Sequence, residues 1–335
     1  MKIIVPMAGI GKRMRPHTLT IPKPLLPIAG KPIVQRLVED IAQVCKEPIE
    51  EIAFIIGDFG EEVEKHLLEV ADNLGAKGRI CKQDEALGTA HAILCAEEVL
   101  DGKCVIAFAD TLFRADFTLD DSKDGIIWVQ KVEDPKAFGV VKTDADGVIT
   151  DFVEKPQEFV SDLAIIGIYY FKDGQYLKKH LQYLIDNDIK DKGEFQLTNA
   201  LENMKNEGTR FSPGTVKEWL DCGNKDATVY TNQRVLEFLK AENNLVDASV
   251  KDISSKIIPP CYIGKNVILK KSIVGPHVSI GDNTTIENAV IENSIIQQDS
   301  LVSNKVVKDS MIGNHAVIRG NAEVLSVGDY NEIGN

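Results

Sequence analysis

No stretch of the 335 residues approaches the ~18 consecutive apolar residues that would span a bilayer. The apolar start, Met1 to Ala8, is interrupted by Lys12, Arg13 and Arg15 too early for a signal peptide. It reads as a buried first strand, and the default expectation is a cytoplasmic protein with no membrane partner. Paired cysteines are lacking too. Cys45, Cys81, Cys95, Cys104, Cys222 and Cys261 stand singly, most in apolar runs, and read as small core residues rather than redox or zinc ligands. The six histidines show no H-E-x-x-H spacing, so no transition-metal site is expected. Net positive charge is also absent. With 38 Lys and Arg against 51 Asp and Glu the chain carries −13, which argues against a general nucleic-acid surface. An acidic protein that binds a small anion must gather its basic groups locally.

What is present is an ordinary globular composition, 44% hydrophobic and 27% charged, in a chain long enough for one large domain and a smaller one. Up to about residue 240, apolar runs of strand type alternate with helical periods. Lys2–Ala8, Ile52–Ile56, Arg79–Lys82 and Cys104–Ala109 read as strands; Ile33–Cys45, Glu61–Leu74 and Thr89–Leu100 read as helices. Such alternation predicts βαβ units and a mostly parallel sheet. Beyond residue 125 strands follow more closely (Gly125–Val132, Phe138–Lys142, Val148–Val153, Ala164–Phe171), which predicts a mixed extension of the sheet. An amphipathic helix over Lys225–Asn243 closes this α/β domain, residues 1–240.

After residue 250 the helical period disappears. Val274, Ile280 and Ile286 are six apart, Ile312 and Ile318 repeat that spacing, and Gly264, Gly275, Gly281 and Gly313 mark turns. Branched aliphatics every five or six residues predict a hexapeptide β-helix over 251–322. The register slips around Ile291–Val307, where irregular turns are expected. Leu325–Asn335 is polar and expected to be loosely held. A coil stack must cover its open ends, which leads to the expectation of packing against the first domain or another subunit, and so of a homo-oligomer.

The sharpest local feature follows the first strand: Gly9-Ile10-Gly11-Lys12-Arg13-Met14-Arg15-Pro16, then Pro22-Lys23-Pro24-Leu25-Leu26-Pro27. Two glycines let backbone approach a phosphate, and three cations follow at once. Met14 stands where a dinucleotide fingerprint needs a third glycine, and a Walker A loop lacks its first one.

This segment, with Gly30-Lys31-Pro32-Ile33, resembles the signature of the sugar-1-phosphate nucleotidyltransferases, G-x-G-T-R-L-x-P-x-T followed by P-K-x-L-x-P. Further segments agree in order: Gln83–Ala90, Ala107–Asp110, Phe138–Val141, Glu154-Lys155-Pro156, Ala164–Tyr169, Gly193–Thr198 and Trp219–Gly223. The chain is similar to the long-form thymidylyltransferases of that family. The resemblance implies a Rossmann-like catalytic domain with a mixed central sheet, a C-terminal left-handed parallel β-helix, and Mg2+ as cofactor. It implies a nucleoside triphosphate and a sugar 1-phosphate as substrates, thymidine and glucose first, uridine second.

Such transfer is an in-line attack of a sugar-phosphate oxygen on the α-phosphorus. The substrate brings its own ionised nucleophile, so the protein works by positioning and by neutralising charge. Carried onto this sequence, Arg13 would hold the β- and γ-phosphates with its fork of donors. Lys23 would stabilise the α-phosphate and Lys155 the incoming sugar phosphate. Gly9, Gly11 and Lys12 would line the nucleotide, with Gln83 and Gly88 reading the base. Gly139, Glu154 and Gly167 would contact the sugar. Asp110 and Asp221, each expected at the end of an apolar strand, would hold the metal.

Three positions depart from the family pattern: Lys12 and Thr111 replace the usual threonine and asparagine, and Asp162 another asparagine. Two lie on the sugar side, which leaves another hexose or a heptose phosphate, and a guanylyl donor, as alternatives. Some relatives with such a β-helix also transfer an acetyl group from coenzyme A using a histidine base. His277 and His315 are the candidates for that second activity.

Overall fold

A computed structural model describes residues 1–115, 118–241 and 245–320. The chain divides into two compact units: Met1–Leu26 with Lys31–Asn224, and Pro27–Gly30 with the chain from Lys225 on.

In the first unit Ile3, Ile4 and Val5 are fully buried, as are Ile52 to Ile56. Strands buried on both faces read as unbroken apolar runs because helices cover both sides of a parallel sheet. These runs form β1 (Lys2–Pro6) and β2 (Glu51–Ile56), with β3 (Lys77–Lys82) beyond β2 and β4 (Cys104–Ala107) on the other side of β1, all parallel. Helices α1 (Ile33–Val44) and α2 (Glu61–Asn73) connect them, α1 burying Ile33, Val34, Leu37, Val38 and Ile41 on one stripe. Helix α3 covers only Thr89–Leu94, shorter than the spacing of apolar residues predicts. Past Leu94 the backbone tightens, with Glu97 N–H bonded to the Leu94 carbonyl at 2.9 Å and Val99 to Ala96 at 2.9 Å. Val99 and Leu100 stay buried, so the apolar period outlasts the α-helix.

The sheet continues through β6 (Gly125–Lys131), β7 (Gly139–Thr143), β8 (Ile149–Glu154), β9 (Leu163–Phe171) and β10 (Phe211–Thr215), giving nine strands in the order β8-β7-β9-β4-β1-β2-β3, with β6 on β9 and β10 on β6. Strand β9 runs antiparallel to β4, so the extension is mixed as expected. The register of β9 on β6 shifts between Ile165 and Tyr169, around Gly167 at φ 82. A two-stranded ribbon, β5 (Thr111–Arg114) with β11 (Glu218–Asp221), stands apart and pairs Thr111 with Asp221. Helices α4 (Gly174–Asp186) and α5 (Leu197–Asn206) were not anticipated. β1 neighbours both β2 and β4, which makes the gap between the carboxyl ends of β1 and β4 the point where the winding reverses, the usual ligand crevice of open α/β sheets.

The second unit is a left-handed parallel β-helix with the helix α6 (Lys225–Leu239). The sequence reading set α6 in the first domain. It groups with the repeats instead, and buries Thr228, Val229, Thr231, Asn232, Val235 and Leu236; Asn232 accepts from Ala29 N–H at 2.9 Å and from the Ser279 hydroxyl at 2.7 Å. The extension of this helix to Asn243 reaches residues 242–244, outside the described residues, as is Leu325–Asn335. Three stacks of short parallel strands form the faces, and Leu269, Ile286, Val302 and Ile318 lie in register along one of them. The coil is 17 residues long from Asn266 to Asn283 and 16 from Asn283 to Asp299. That shortening is the register slip seen in the sequence. The Gly275-Pro276-His277 turn is replaced in the next coil by a tighter turn on Asn293 at φ 41. Most turns place a residue in the left-handed region, commonly Asn or Asp, whose short polar side chains tolerate it.

Candidate active site

The residues predicted for nucleotidyl transfer all lie in the first unit, and all but Lys12 gather around two adjoining clefts. The first, about 280 Å³, is lined by Gly9 and Gly11 after β1, Lys23, Gln83, Gly88 and Asp110. The second, about 430 Å³, is lined by Arg13, Gly139, Glu154, Lys155, Gly167 and Asp221. Asp110, Phe108, Thr89 and Glu194 border both. Only Lys12 stands apart from both linings, exposed on the loop.

The first cleft opens at the winding reversal. The loop after β1 is tied at its base by Met7 N–H to the Ile55 carbonyl, 2.8 Å. Gly11 takes φ 63, and a Cβ there would sit 3.0 Å from Lys23 Cβ, so the glycine allows the lysine segment to close over the loop. Thr18 donates its hydroxyl to the Gly11 carbonyl at 2.9 Å, holding that turn. Lys23, 12% exposed, pairs with Asp110 Oδ2 at 2.8 Å. Asp110 lies in the turn after β4 rather than on the strand itself, three residues past Ala107. Gly88 takes φ 119, and a Cβ there would fall 2.5 Å from the Phe195 carbonyl oxygen, which gives the glycine a structural reason independent of any base. Gln83 directs its amide nitrogen at the Gly88 carbonyl, 3.5 Å, and at His91 Nδ1, 3.2 Å.

Asp221 is the last residue of β11, and Cys222 N–H bonds the Asp110 carbonyl at 2.9 Å, so the ribbon carries the two acids side by side. Burial, and then the neighbouring Asp110 charge, raise the Asp221 carboxyl above its ordinary range; the Gly223 N–H at 2.8 Å, Lys23 and Arg13 act in the opposite direction. Arg13 therefore reaches the second cleft beside Asp221 and Gly223, where a Cβ on Gly223 would lie 3.2 Å from the Arg13 guanidinium. Two carboxylates and two cations share one junction.

Two neighbouring carboxylates, one destabilised by burial, suit a hard divalent cation. Mg2+ takes one or two carboxylates and completes its shell with phosphate oxygens and water. No cluster of three or more His, Cys, Asp or Glu residues is arranged for a metal among the described residues. An ion at Asp110 and Asp221 would therefore draw its other ligands from substrate and solvent.

In the second cleft Glu154 is held between Thr198, which donates to it at 3.4 Å, and Lys155, whose ammonium lies 3.4 Å away. Lys155 occupies the left-handed region at φ 42, with its carbonyl and that of Glu154 accepting from Lys192 Nζ at 3.0 and 3.2 Å. Strain at a non-glycine position is kept where the surroundings over-determine it, often at a binding site. A Cβ on Gly139 would meet Glu154 Oε2 at 3.1 Å, so the glycine leaves the carboxylate in place. Gly167 answers to its bulge, with its carbonyl accepting from Phe108 N–H at 2.9 Å. Thr111 is 4% exposed and spends its hydroxyl on the Ile166 carbonyl at 2.9 Å. Asp162 faces Lys131 at 3.6 Å on the surface, away from the residues lining either cleft.

Sequence reasoning gave no role to Glu194, Thr89, Gln196 or His91. Thr89 donates to Gln196 Oε1 at 3.2 Å, and Gln196 donates to Glu194 Oε2 at 3.0 Å, a chain that fixes the wall between the clefts. The Gly193–Thr198 motif was the available signal. The two histidines of the repeats are turn residues, at φ 63 for His277 and φ 54 for His315. His277 Nε2 lies 2.6 Å from Glu237, while His315 is 73% exposed and 3.8 Å from Asp299.

Residues 2–237 match the family model described as nucleotidyl transferase. The low-salt glycan biosynthesis nucleotidyltransferase Agl11 of Haloferax volcanii is 30% identical over 98% of this chain and 96% of its own. A glucose-1-phosphate thymidylyltransferase of Streptomyces antibioticus is 28% identical over 99% of both chains. A crystal structure of UDP-glucose pyrophosphorylase complexed with UDP-glucose shares the fold, with a TM-score of 0.59 at 24% identity, covering 71% of this chain and 98% of that one. No described helix is long and apolar enough to cross a membrane. The chain belongs to the sugar-1-phosphate nucleotidyltransferase family, and it is an enzyme of that family that combines the catalytic fold with a β-helix.

Proposed function

We propose that the first cleft takes a nucleoside triphosphate, dTTP first and UTP second, and the second cleft a sugar 1-phosphate, glucose 1-phosphate first. The observation that carries this reading is the shared border. Two clefts meet at Asp110, with Lys23 on one side and Arg13, Lys155 and Asp221 on the other. A phosphate oxygen of the sugar 1-phosphate forms a bond to the α-phosphorus; the bond from that phosphorus to the bridging oxygen breaks, and pyrophosphate leaves with the electron pair. No proton has to move, because the attacking oxygen is already ionised. Lys23 is placed to steady the α-phosphate, and Lys155 to hold the incoming phosphate against its repulsion. Arg13 borders the second cleft, beside Asp221 and Gly223, and its fork suits an anionic oxygen there. Bound Mg2+ at Asp110 and Asp221 would supply charge neutralisation of the phosphates.

Thr111 has no free hydroxyl hydrogen for a sugar, since it is given to Ile166. Glu154 supplies an acceptor for hydroxyls in its place. Pyrophosphate release with Mg2+, across five nucleoside triphosphates and a panel of sugar 1-phosphates, tests the reading. One productive pair supports it and names both substrates; silence across the panel with folded protein contradicts it. Including acetyl coenzyme A and amino-sugar phosphates, with thiol release as the signal, checks the acetyl-transfer alternative.

A further inference from the structure

Gln83 borders the nucleotide cleft, and the two contacts of its amide nitrogen fix more than its position. The Gly88 carbonyl can only accept, so the Gln83 atom 3.5 Å from it is the NH2 group; an amide oxygen there would set two acceptors together. The same nitrogen lies 3.2 Å from His91 Nδ1. That ring nitrogen must then accept, which puts the imidazole proton on Nε2. Both amide hydrogens are thereby used inside the protein. Gln83 Oε1 has no partner among the described residues and is left to a ligand.

We propose that His91 is a positioning residue which, through Gln83, makes the base-reading atom of this cleft an acceptor. The inference rests on the first cleft being the nucleotide site. An acceptor selects bases with a hydrogen on the pairing-edge ring nitrogen: uracil and thymine at N3, guanine at N1. Cytosine and adenine present a bare ring nitrogen there: in the same pose it meets Oε1 lone pair to lone pair, and the base must shift to offer its N4 or N6 amino hydrogen instead, which costs the fit of a half-buried site. His91 lies on α3 one turn past Gly88, so the helix start, the glycine and the selecting amide form one local device.

The test is calorimetric binding of UTP, dTTP, GTP, CTP and ATP, with Mg2+, to the full chain as wild type, His91→Phe and His91→Asn. Phenylalanine keeps the ring but offers no acceptor; asparagine can return an acceptor near Nδ1. Wild type is expected to bind at least one ring-N–H nucleotide about tenfold or more tighter than CTP and ATP, a step of about 1.4 kcal/mol. In His91→Phe that ratio falls by about fivefold, as the amide becomes free to turn its nitrogen toward the base, and His91→Asn recovers most of it. In turnover the loss appears in the nucleotide KM with kcat little changed. If the phenylalanine variant fails to fold, His91→Leu carries the same comparison. An unchanged ratio in a folded variant without an acceptor, or a wild type that prefers CTP or ATP, overturns the inference alone. A wild type that binds none of the five overturns it together with the nucleotide-cleft reading.

Discussion

The two units arrange their residues by opposite means. In the β-helix each inward residue meets its equivalent one coil away, as Leu269, Ile286 and Val302 do, so one position explains its whole column. In the catalytic unit the junction joins positions 13, 23, 110, 155 and 221, each used once and each delivered by a different turn or strand end. Repetition makes a structure legible and sturdy, while a single-use junction permits opposite charges, a strained lysine and a raised carboxyl to coexist. Damage should therefore separate: losses in the coil should show as stability, and losses at the junction as rate.

The largest effect is expected from Ile286→Ala, at the fully buried centre of a column, with a loss of ~2–5 kcal/mol as transfer and cavity terms add. Chemical denaturation should show it, with kcat of the folded fraction near wild type. Arg13→Ala, exposed and outside the core, should do the reverse: the melting temperature stays while turnover falls by the ~2.7–4 kcal/mol seen when one transition-state donor is removed. Steady-state kinetics at saturating substrates would read it, and wild-type turnover would remove Arg13 from the junction. A smaller loss, about 1 kcal/mol, is expected for Asn283→Ala, because alanine resists the left-handed region that Asn283 occupies at φ 57. Asn283→Gly should recover most of it if backbone strain is the cause. If the Asn266–Asn283–Asp299 side-chain ladder matters more, glycine and alanine should lose alike.

The smallest effect concerns Glu237, whose carboxyl is held below its ordinary value of 4.5, first by the hydrogen bond with His277. A depressed folded value stabilises the fold above the unfolded pKa, and that contribution is lost as pH falls through the folded one. Glu237→Gln should thus be slightly less stable than wild type at neutral pH and equal to it well below 4.5. Denaturant midpoints at the two pH values would check the convergence.

Much of the architecture could be read from the chain because burial on both faces leaves unbroken runs such as Ile52 to Ile56, and because coils repeat branched aliphatics at five- and six-residue steps. Helix α4 escaped notice although Asp173 caps it, accepting from Gln175 and Tyr176 N–H at 3.0 and 3.1 Å. Its buried stripe of Leu177, His180, Leu181 and Leu184 includes a histidine and lies among Lys and Gln residues, which dilutes the period. Helix α5 begins on the last two residues of the Gly193–Thr198 motif and runs on through a stretch given no helical reading. At the site most motif residues were given roles, whereas Glu194, inside the Gly193–Thr198 motif, and His91, just past the Gln83–Ala90 motif, were given none. Such roles depend on contacts between chain segments, Gln83 with His91 and Gln196 with Glu194, that spacing does not encode. The grouping of α6 with the repeats likewise involves contacts between distant segments, such as buried Asn232 bonded to Ala29 and Ser279.

If one junction brings the sugar phosphate directly onto the α-phosphorus, no covalent intermediate forms. The most direct measurement uses the productive substrate pair with a triphosphate carrying a single sulfur of known configuration at the α-phosphorus. A direct in-line displacement predicts inverted configuration in the nucleotide-sugar. Retention would require two displacements and a nucleotidylated protein, and would contradict the account.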